Sequence, residues 1–130
     1  MPAKISGALT LSDRIMRIGG KMAFNTGTVQ LDAVVLAVVA HDAEGTYGYK
    51  ITQDVRKIMD VSESTLYPVL RRLQKDNFLE TYDKEFSGRN RRYYRITQDG
   101  ILQLDEYRRQ WIEYRNCINA LLLFEAAEQE

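Results

Sequence analysis

The sequence predicts a mainly α fold of the α+β class, and three observations predict it. Two short helical patterns stand close together, and the second begins with a serine, as in a helix-turn-helix. Two β-prone runs enclose a polar turn with a glycine, which predicts a hairpin. A long final segment places large apolar residues at steps of three and four, which is typical of a helix that pairs with another. In this order the elements describe a winged helix-turn-helix with a long C-terminal dimerisation helix.

The pattern divides the chain into three parts. Residues 1–27 form an N-terminal extension, residues 28–97 a winged-helix domain, and residues 98–130 the C-terminal dimerisation helix. Within the extension, a short amphipathic helix is compatible with the apolar residues Leu9, Leu11, Ile15, Met16 and Ile18. Two alternatives stay open for the extension: translation begins at Met22, or the segment is a mobile arm.

Composition limits the classes of function. The 130 residues suggest a single domain, and 18 basic side chains balance 18 acidic ones, which argues against a protein coated in positive charge but leaves room for a local basic patch. The single cysteine, Cys117, excludes an internal disulfide and a cysteine-based metal cluster, and it fits a reducing, cytoplasmic compartment. No apolar run reaches the roughly 18 residues that span a bilayer, so no membrane partner is predicted.

The first long apolar run is Thr28–His41, which is rich in β-branched residues. A buried strand is possible, but the length of the run and its lack of internal breaks favour a helix. A helix that is apolar nearly all round needs cover on every side, which indicates a partner chain. His41 is the only histidine. We expect its cationic or polar ring to interact favourably with the dipole at the C-terminal end of this helix.

The helix-turn-helix follows. Tyr47–Met59 is predicted as a helix, and its inner positions are Tyr49, Ile51, Val55, Ile58 and Met59. After the short link Asp60-Val61, Ser62–Leu73 places apolar residues at Leu66, Val69, Leu70 and Leu73. The opposite face carries Ser64, Tyr67 and Arg71, which suit base edges and phosphates in a DNA groove. An ordinary amphipathic surface helix would show the same pattern.

Pro68 lies inside this second helical pattern, where it removes one backbone hydrogen bond. We expect either a bend at this point or a loosened first turn that presents Ser64, Thr65 and Tyr67.

The hairpin is predicted from Phe78–Phe86 and Arg92–Thr97, with Ser87–Arg91 as the turn between the strands. Between residues 71 and 95, basic side chains outnumber acidic ones by four, although the whole chain sums to zero. Cations gathered on one hairpin and the adjoining helix indicate contact with a polyanion. A solvated, charged hairpin is the alternative.

The last helix begins after Thr97, which is a hydroxyl cap. Apolar and aromatic residues recur along it at Leu104, Tyr107, Trp111, Tyr114, Ile118 and Leu121. We interpret this helix as a dimer element that packs against the Thr28–His41 helix of the other chain. The alternative is that it folds back on its own domain.

Catalytic chemistry finds no support in the sequence. One histidine and one cysteine do not make a zinc site or a familiar nucleophilic centre. Gly45 and Gly48 are not followed by the lysine and hydroxyl residue of a phosphate-binding loop. The sequence therefore predicts no catalytic residue, no metal and no cofactor, and the protein is not expected to be an enzyme.

Several blocks of sequence strongly resemble the PadR family of transcriptional regulators. They are Tyr47–Ile51, Val61–Leu73 and Gly88–Thr97, within a similarity that covers roughly residues 28–115. Thr65–Pro68 and Arg91–Thr97 make the resemblance specific. It implies a homodimeric repressor that binds operator DNA with dyad symmetry, and the short terminal segment is similar to the subfamily with a single C-terminal helix.

The resemblance also implies roles for individual residues. The implied DNA-binding residues are Lys50, Ser62, Ser64, Thr65, Tyr67, Arg71, Arg89, Arg91 and Arg92. Trp111 matches a tryptophan that stacks flat ligands at the dimer centre of multidrug-binding relatives, which implies a planar aromatic effector. Tyr107, Tyr114 and Ile118 would complete this effector and dimer interface, although the rings there would equally serve to fill the interface. Residues 1–27 depart from the family pattern.

Two functions therefore remain after the sequence alone. The first is a sequence-specific DNA-binding transcriptional regulator, a repressor that an aromatic effector releases from its operator. The alternative is a winged-helix protein-interaction module without specific DNA binding.

Overall fold

The computed structural model describes Thr10 and residues 27–123. Its elements, in chain order, are α1 (Gly27–Ala40), β1 (Thr46–Tyr47), α2 (Gly48–Arg56), α3 (Glu63–Lys75), β2 (Leu79–Phe86), β3 (Arg89–Ile96) and α4 (Gln98–Leu122). The mainly α class, the winged helix-turn-helix and the long C-terminal helix are confirmed. The helix predicted around Ile15 and the alternative start at Met22 lie outside the described residues.

Residues 27–108 form one compact unit, and α4 from Arg109 onward belongs to a second. In the first unit, α1, α2 and α3 pack around one apolar core that β2, β3 and the start of α4 complete. Its fully buried side chains include Leu36, Ile51, Leu66, Leu70 and Leu73. The predicted division at residues 27 and 97 stays a prediction.

Helix α1 lies deep in this core. Val35, Leu36 and Val39 are fully buried, whereas Val34 and Val38 are only partly buried. The neighbouring elements within the unit thus cover most of the apolar surface, and the remainder is compatible with the predicted partner chain.

Helix α2 is shorter than predicted, and the burial expected for two of its residues was wrong. Tyr49 is 58% exposed and Ile58 72% exposed. The helix begins at Gly48 and ends at Arg56, so Ile58 lies in the turn beyond it. The predicted first residue of the helix, Tyr47, belongs instead to β1 and pairs with Tyr93.

The hairpin is confirmed, but the predicted five-residue turn was wrong. Strands β2 and β3 pair antiparallel from Leu79 opposite Ile96 to Phe86 opposite Arg89, so only Ser87 and Gly88 form the turn. Both turn residues have positive φ, 54° and 80°, which is the combination found in a two-residue type I′ hairpin loop. Arg89 and Arg91 therefore lie in a strand, in a sheet with the order β1-β3-β2.

Helix α4 starts as predicted. The Thr97 hydroxyl accepts a hydrogen bond from the Gly100 amide at 2.9 Å and donates one to the Asn77 carbonyl at 2.6 Å. The first hydrogen bond caps the helix, and the second holds its start against the segment that joins α3 to β2.

Candidate nucleic-acid interface

Helix α3 is stabilised by a capping residue at its start, by charges that suit its dipole at both ends, and by burial of its inner face. Ser62 has an extended backbone, and its hydroxyl accepts a hydrogen bond from the Thr65 amide at 3.2 Å. Glu63 stands in the first turn and Lys75 in the last, which suits the helix dipole. The four predicted inner residues are buried, and α3 continues through Pro68, which is exposed. The opposite face of α3 is therefore presented to solvent.

Three hydroxyls gather at the start of α3. The Ser62 hydroxyl lies 2.9 Å from that of Ser64 and 3.0 Å from that of Thr65. All three residues are exposed. Since a hydroxyl donates and accepts, this cluster offers both kinds of hydrogen bond to a base edge or a phosphate.

Tyr67 lies differently from the other predicted DNA-binding residues of α3. Ser64 and Arg71 are exposed, whereas Tyr67 is half-buried and packs against the core. Its ring lies against the start of α2, where a side chain at Gly48 would approach Tyr67 Cε1 to 3.2 Å. The ring is thus fixed by packing.

The wing, which is β2, β3 and the turn between them, separates its charges between two faces. Leu79 and Tyr94 are buried and define the inner face. Since successive strand residues alternate between faces, the register assigns four cations to the outer face. They are Lys84, Arg89, Arg91 and Arg95. The outer face carries a single acid, Glu80, which pairs with Arg95 at 2.7 Å.

Aromatic rings lie against three of the four cations of the outer face, Lys84, Arg91 and Arg95. The Arg91 guanidinium carbon lies 4.0 Å from the ring centre of Tyr47 and 4.3 Å from that of Phe86. The rings of Tyr82 and Tyr93 stack at 5.4 Å. Cation–ring contacts restrict a guanidinium while leaving its N–H groups free to bind an anion.

Arg92 and Lys50 differ from the other predicted DNA-binding cations because each has an acidic partner. Arg92 alternates to the inner face and lies 3.7 Å from Asp83. Lys50 bonds Asp54 at 3.1 Å, and this hydrogen bond raises the pKa of Lys50.

Most of the described cations without an acidic partner lie on α3 and the wing. Among residues 27–123, the lysines and arginines with no carboxylate within 4.0 Å are Arg56, Arg71, Lys75, Lys84, Arg89, Arg91 and Arg115. Five of these seven lie on α3 and the wing. A neutral chain thus concentrates its uncompensated positive charge where the exposed hydroxyls stand.

The residues predicted to bind an effector fall into two groups. Tyr107 belongs to the first unit, packs against the core, and has its pKa raised by burial. Trp111 and Tyr114 belong to the second unit, with ring centres 6.1 Å apart. Trp111 is 44% exposed and Ile118 is half-buried.

An open cavity of about 470 Å³ lies beside the wing, and the sequence did not indicate it. It is lined by Tyr47, Gly48, Tyr49, Tyr67, Arg91, Arg92 and Tyr94. Sequence periodicity placed Tyr49 in the core, and β1 was missed. The run Arg91-Arg92-Tyr93-Tyr94 in β3 was the available signal, because it places arginines and tyrosines next to one another on a strand whose other neighbour, β1, is only two residues long.

Neither a metal site nor a membrane span is found among residues 27–123. The described part of the chain brings no three histidine, cysteine or acidic residues together in a metal-binding arrangement. Within the same residues, every helix is too short or too polar to cross a lipid bilayer.

Comparisons with known proteins agree with this geometry. The model of the transcriptional regulator PadR-like family matches residues 35–106. An uncharacterised protein of Lysinibacillus sphaericus is 33% identical over 97 residues, which are 71% of this chain and 87% of that protein. The transcriptional regulator Rv3488 of Mycobacterium tuberculosis is 40% identical over 82 residues, 62% of this chain and 77% of the regulator. A PadR-like transcriptional regulator of Bacillus cereus superposes with a TM-score of 0.64 at 34% identity, covering 71% and 90% of the two chains.

Proposed function

Because this chain belongs to the PadR-like family of DNA-binding transcriptional regulators, which are not enzymes, we propose that it is a repressor. It binds a dyad operator as a homodimer, and a small planar aromatic effector releases it. Its target is chromosomal DNA, so it acts in the cytoplasm. The observation that carries DNA binding is the concentration of unpaired cations on α3 and the wing, beside three exposed hydroxyls.

Helix α3 enters the major groove in this proposal. Ser64 and Thr65 face base edges, while Arg71, on the exposed side of the same helix, binds the phosphate backbone. The buried leucines of α3 hold it to the core, so the helix meets DNA as a rigid element.

The wing binds the neighbouring backbone or minor groove through Arg89 and Arg91. Arg92 and Lys50 also bind DNA in this proposal, and each gives up its carboxylate partner for a phosphate. Both ion pairs are solvent-exposed, with Arg92 60% exposed in its side chain and Lys50 49%, and exposed pairs contribute little free energy. Breaking these two ion pairs therefore costs little free energy.

The homodimer is proposed from the apolar side chains of α4. Ile112 is 46% exposed and Leu122 73% exposed, in addition to Trp111. Pairing of two α4 helices would cover such side chains and set the separation of the two α3 helices. Operator half-sites about one turn of DNA apart, ~10 bp, suit this arrangement.

The effector is proposed to act on that separation. Trp111 and Tyr114 offer aromatic surface on α4, and a flat ligand stacked there would change how the two protomers pack. DNA and effector would then compete through the spacing of the α3 helices.

The test begins with duplexes selected from a random-sequence library for binding to the full chain. Affinity for the selected duplex is measured by fluorescence anisotropy across a salt series. Arg71→Ala and Arg89→Ala should each weaken binding at least several-fold and reduce the salt slope by about one, because each removes a cation that neutralises one phosphate. Arg115→Ala is the control, because Arg115 is an unpaired cation on α4, and it should leave both quantities unchanged.

Equal behaviour of all three variants would refute the assignment of α3 and the wing to DNA. If no sequence is enriched by the selection, the winged-helix protein-interaction module becomes the better interpretation.

A further inference from the structure

The cavity beside the wing has a chemistry suited to an anion. Its lining holds two arginines and four tyrosines, and none of its lining residues is acidic. Arginine binds tetrahedral oxyanions through paired N–H groups, and phenols donate hydrogen bonds to the same oxygens. We propose that this cavity receives one phosphate of the DNA backbone in each half-site, an inference that rests on the proposed function.

The Arg91 side chain is preorganised for this role in the DNA-free protein. Its guanidinium lies against the rings of Tyr47 and Phe86, and among the described residues no carboxylate pairs with it. A guanidinium that is already held loses less conformational entropy when it binds. A guanidinium held by aromatic rings in this way still has its N–H groups for the phosphate oxygens.

Tyr67 is the residue of α3 that lines the cavity. It follows Thr65 by two positions on the helix that carries the exposed hydroxyls. Gly48 permits this placement, because the Tyr67 ring occupies the space beside its backbone. A phosphate bound at Tyr67 would therefore fix the position of α3 along the groove. Backbone contacts have this positioning role in DNA recognition.

Tyr94 of β3 supplies a second phenol to the lining. Burial raises the pKa of Tyr94, although the charges of Arg92 and Arg71 oppose the shift, so the phenol stays protonated at neutral pH. The cavity thus offers hydrogen-bond donors together with cations, and this combination favours a phosphate diester, which accepts hydrogen bonds and donates none.

The size and position of the cavity favour a phosphate within a duplex over a free ion. Its volume of about 470 Å³ leaves room for a phosphate together with its attached sugars. Tyr67 of α3 lines it, and the hydroxyls and Arg71 of the same helix are exposed, so a backbone that contacts α3 passes near the cavity. A free phosphorylated small molecule has the same chemistry and is separated from DNA by the experiment.

The experiment is a neutral-phosphate scan of the selected duplex. Each backbone phosphate in turn is replaced by an uncharged methylphosphonate, and affinities are measured for the wild-type protein, Arg91→Ala, Tyr67→Phe and the control Arg115→Ala. Tyr67→Phe keeps the ring that packs on Gly48, so it tests the hydroxyl while the fold is retained. Thermal unfolding of each variant checks that retention.

One phosphate per half-site should stand out. Its neutralisation should weaken the wild-type protein about ten-fold or more, but Arg91→Ala only slightly, since that variant no longer has the guanidinium that binds the phosphate. Tyr67→Phe should show the same coupling at the same phosphate, and Arg115→Ala should behave as wild type. Additive effects at every phosphate, in a protein that still binds its duplex, would overturn the cavity assignment and leave the proposed function intact.

A second arm tests free anions. Inorganic phosphate and adenosine monophosphate are titrated into the DNA-free protein while the tyrosine ring signals are followed by NMR. The proposal expects no saturable change below millimolar concentration. Saturable binding there, without coupling to any backbone phosphate, would assign the cavity to a free phosphorylated ligand and overturn the proposal. Failure of the wild-type protein to bind any duplex would refute the proposed function, and this inference with it.

Discussion

Arg72 of α3 donates a hydrogen bond to the carboxylate of Asp32 in α1. Asp32 is only 8% exposed, so this ion pair places a charged group at the edge of the apolar core. Burial raises the pKa of Asp32, and the charge of Arg72 acts in the opposite direction. The pair connects the helix proposed to read DNA with the helix at the centre of the core.

Arg72→Met should lower the free energy of unfolding by about 1–3 kcal/mol, because the buried Asp32 carboxylate loses its partner. The lower part of that range is expected, since the Arg72 side chain is 41% exposed and water can reach the site. Urea denaturation measures the change. Arg71→Met is the matched control on the exposed side of α3, and it should change stability by less than about 0.5 kcal/mol. Equal losses in the two variants would contradict this role for the ion pair.

Asp32 should also make stability depend on pH. Its carboxyl keeps its proton to a higher pH in the folded chain than in the unfolded one, so the folded state binds more protons between the two pKa values. The contribution of Asp32 to the free energy of unfolding therefore falls as pH rises from about 4 through the raised pKa. Asp32→Asn removes this titration, so its stability relative to wild type should improve across that window. Urea denaturation at a series of pH values tests this, and a constant difference would contradict it.

Two serines at the start of α3 should have separable effects. Ser62→Ala removes the hydroxyl that accepts from the Thr65 amide, and it should cost about 1 kcal/mol of stability. Ser64→Ala removes an exposed hydroxyl that caps no backbone group, so stability should stay within about 0.5 kcal/mol while affinity for the selected duplex falls. Thermal unfolding and anisotropy measure the two effects. A stability loss confined to Ser64→Ala would reverse the assignment.

The proposed dimer can be broken at α4. Ile118→Glu would place a carboxylate in an apolar interface without a partner, so the dissociation constant should rise at least ten-fold. Sedimentation equilibrium at micromolar concentration measures it. Asn119→Glu is the control, because Asn119 is exposed on the adjacent position of the helix. A wild-type protein that sediments as a monomer at these concentrations would rule out the dimer.

The effector site can be tested through Trp111. Titration with a panel of planar aromatic dyes should quench the fluorescence of Trp111, the single tryptophan, in a saturable way. Calorimetry with the best dye should then show binding to the wild-type protein and at least ten-fold weaker binding to Trp111→Leu. Tyr49→Phe, which alters an exposed tyrosine of α2, should bind as wild type. A flat response across the whole panel would argue against an effector at Trp111.

Much of the fold could be predicted because local rules and the tertiary structure agree. The apolar spacing of Leu66, Val69, Leu70 and Leu73 predicted the buried face of α3, and the Ser62 hydroxyl predicted its start. Thr97 predicted the start of α4 for the same reason. Each of these signals depends on residues within one or two helical turns, so the rest of the chain need not be known.

The predictions that were wrong concern residues whose partners are distant in sequence. Tyr47 pairs with Tyr93 across 46 positions, and no local pattern distinguishes such an edge strand from the first residue of a helix. Tyr49 has the spacing of an inner residue but is exposed, because β1 sets where α2 begins and which side it buries.

For the candidate site, the sequence alone determined which side chains are available: hydroxyls at the start of α3 and an excess of cations from residue 71 to 95. Only the tertiary structure decided which of those cations are unpaired, that Arg91 and Arg92 alternate to opposite faces of the wing, and that Tyr67 and Arg91 line one cavity. The physical reason is that composition and periodicity follow from neighbours along the chain, whereas ion pairing, strand register and cavities depend on distances between segments that only folding brings together.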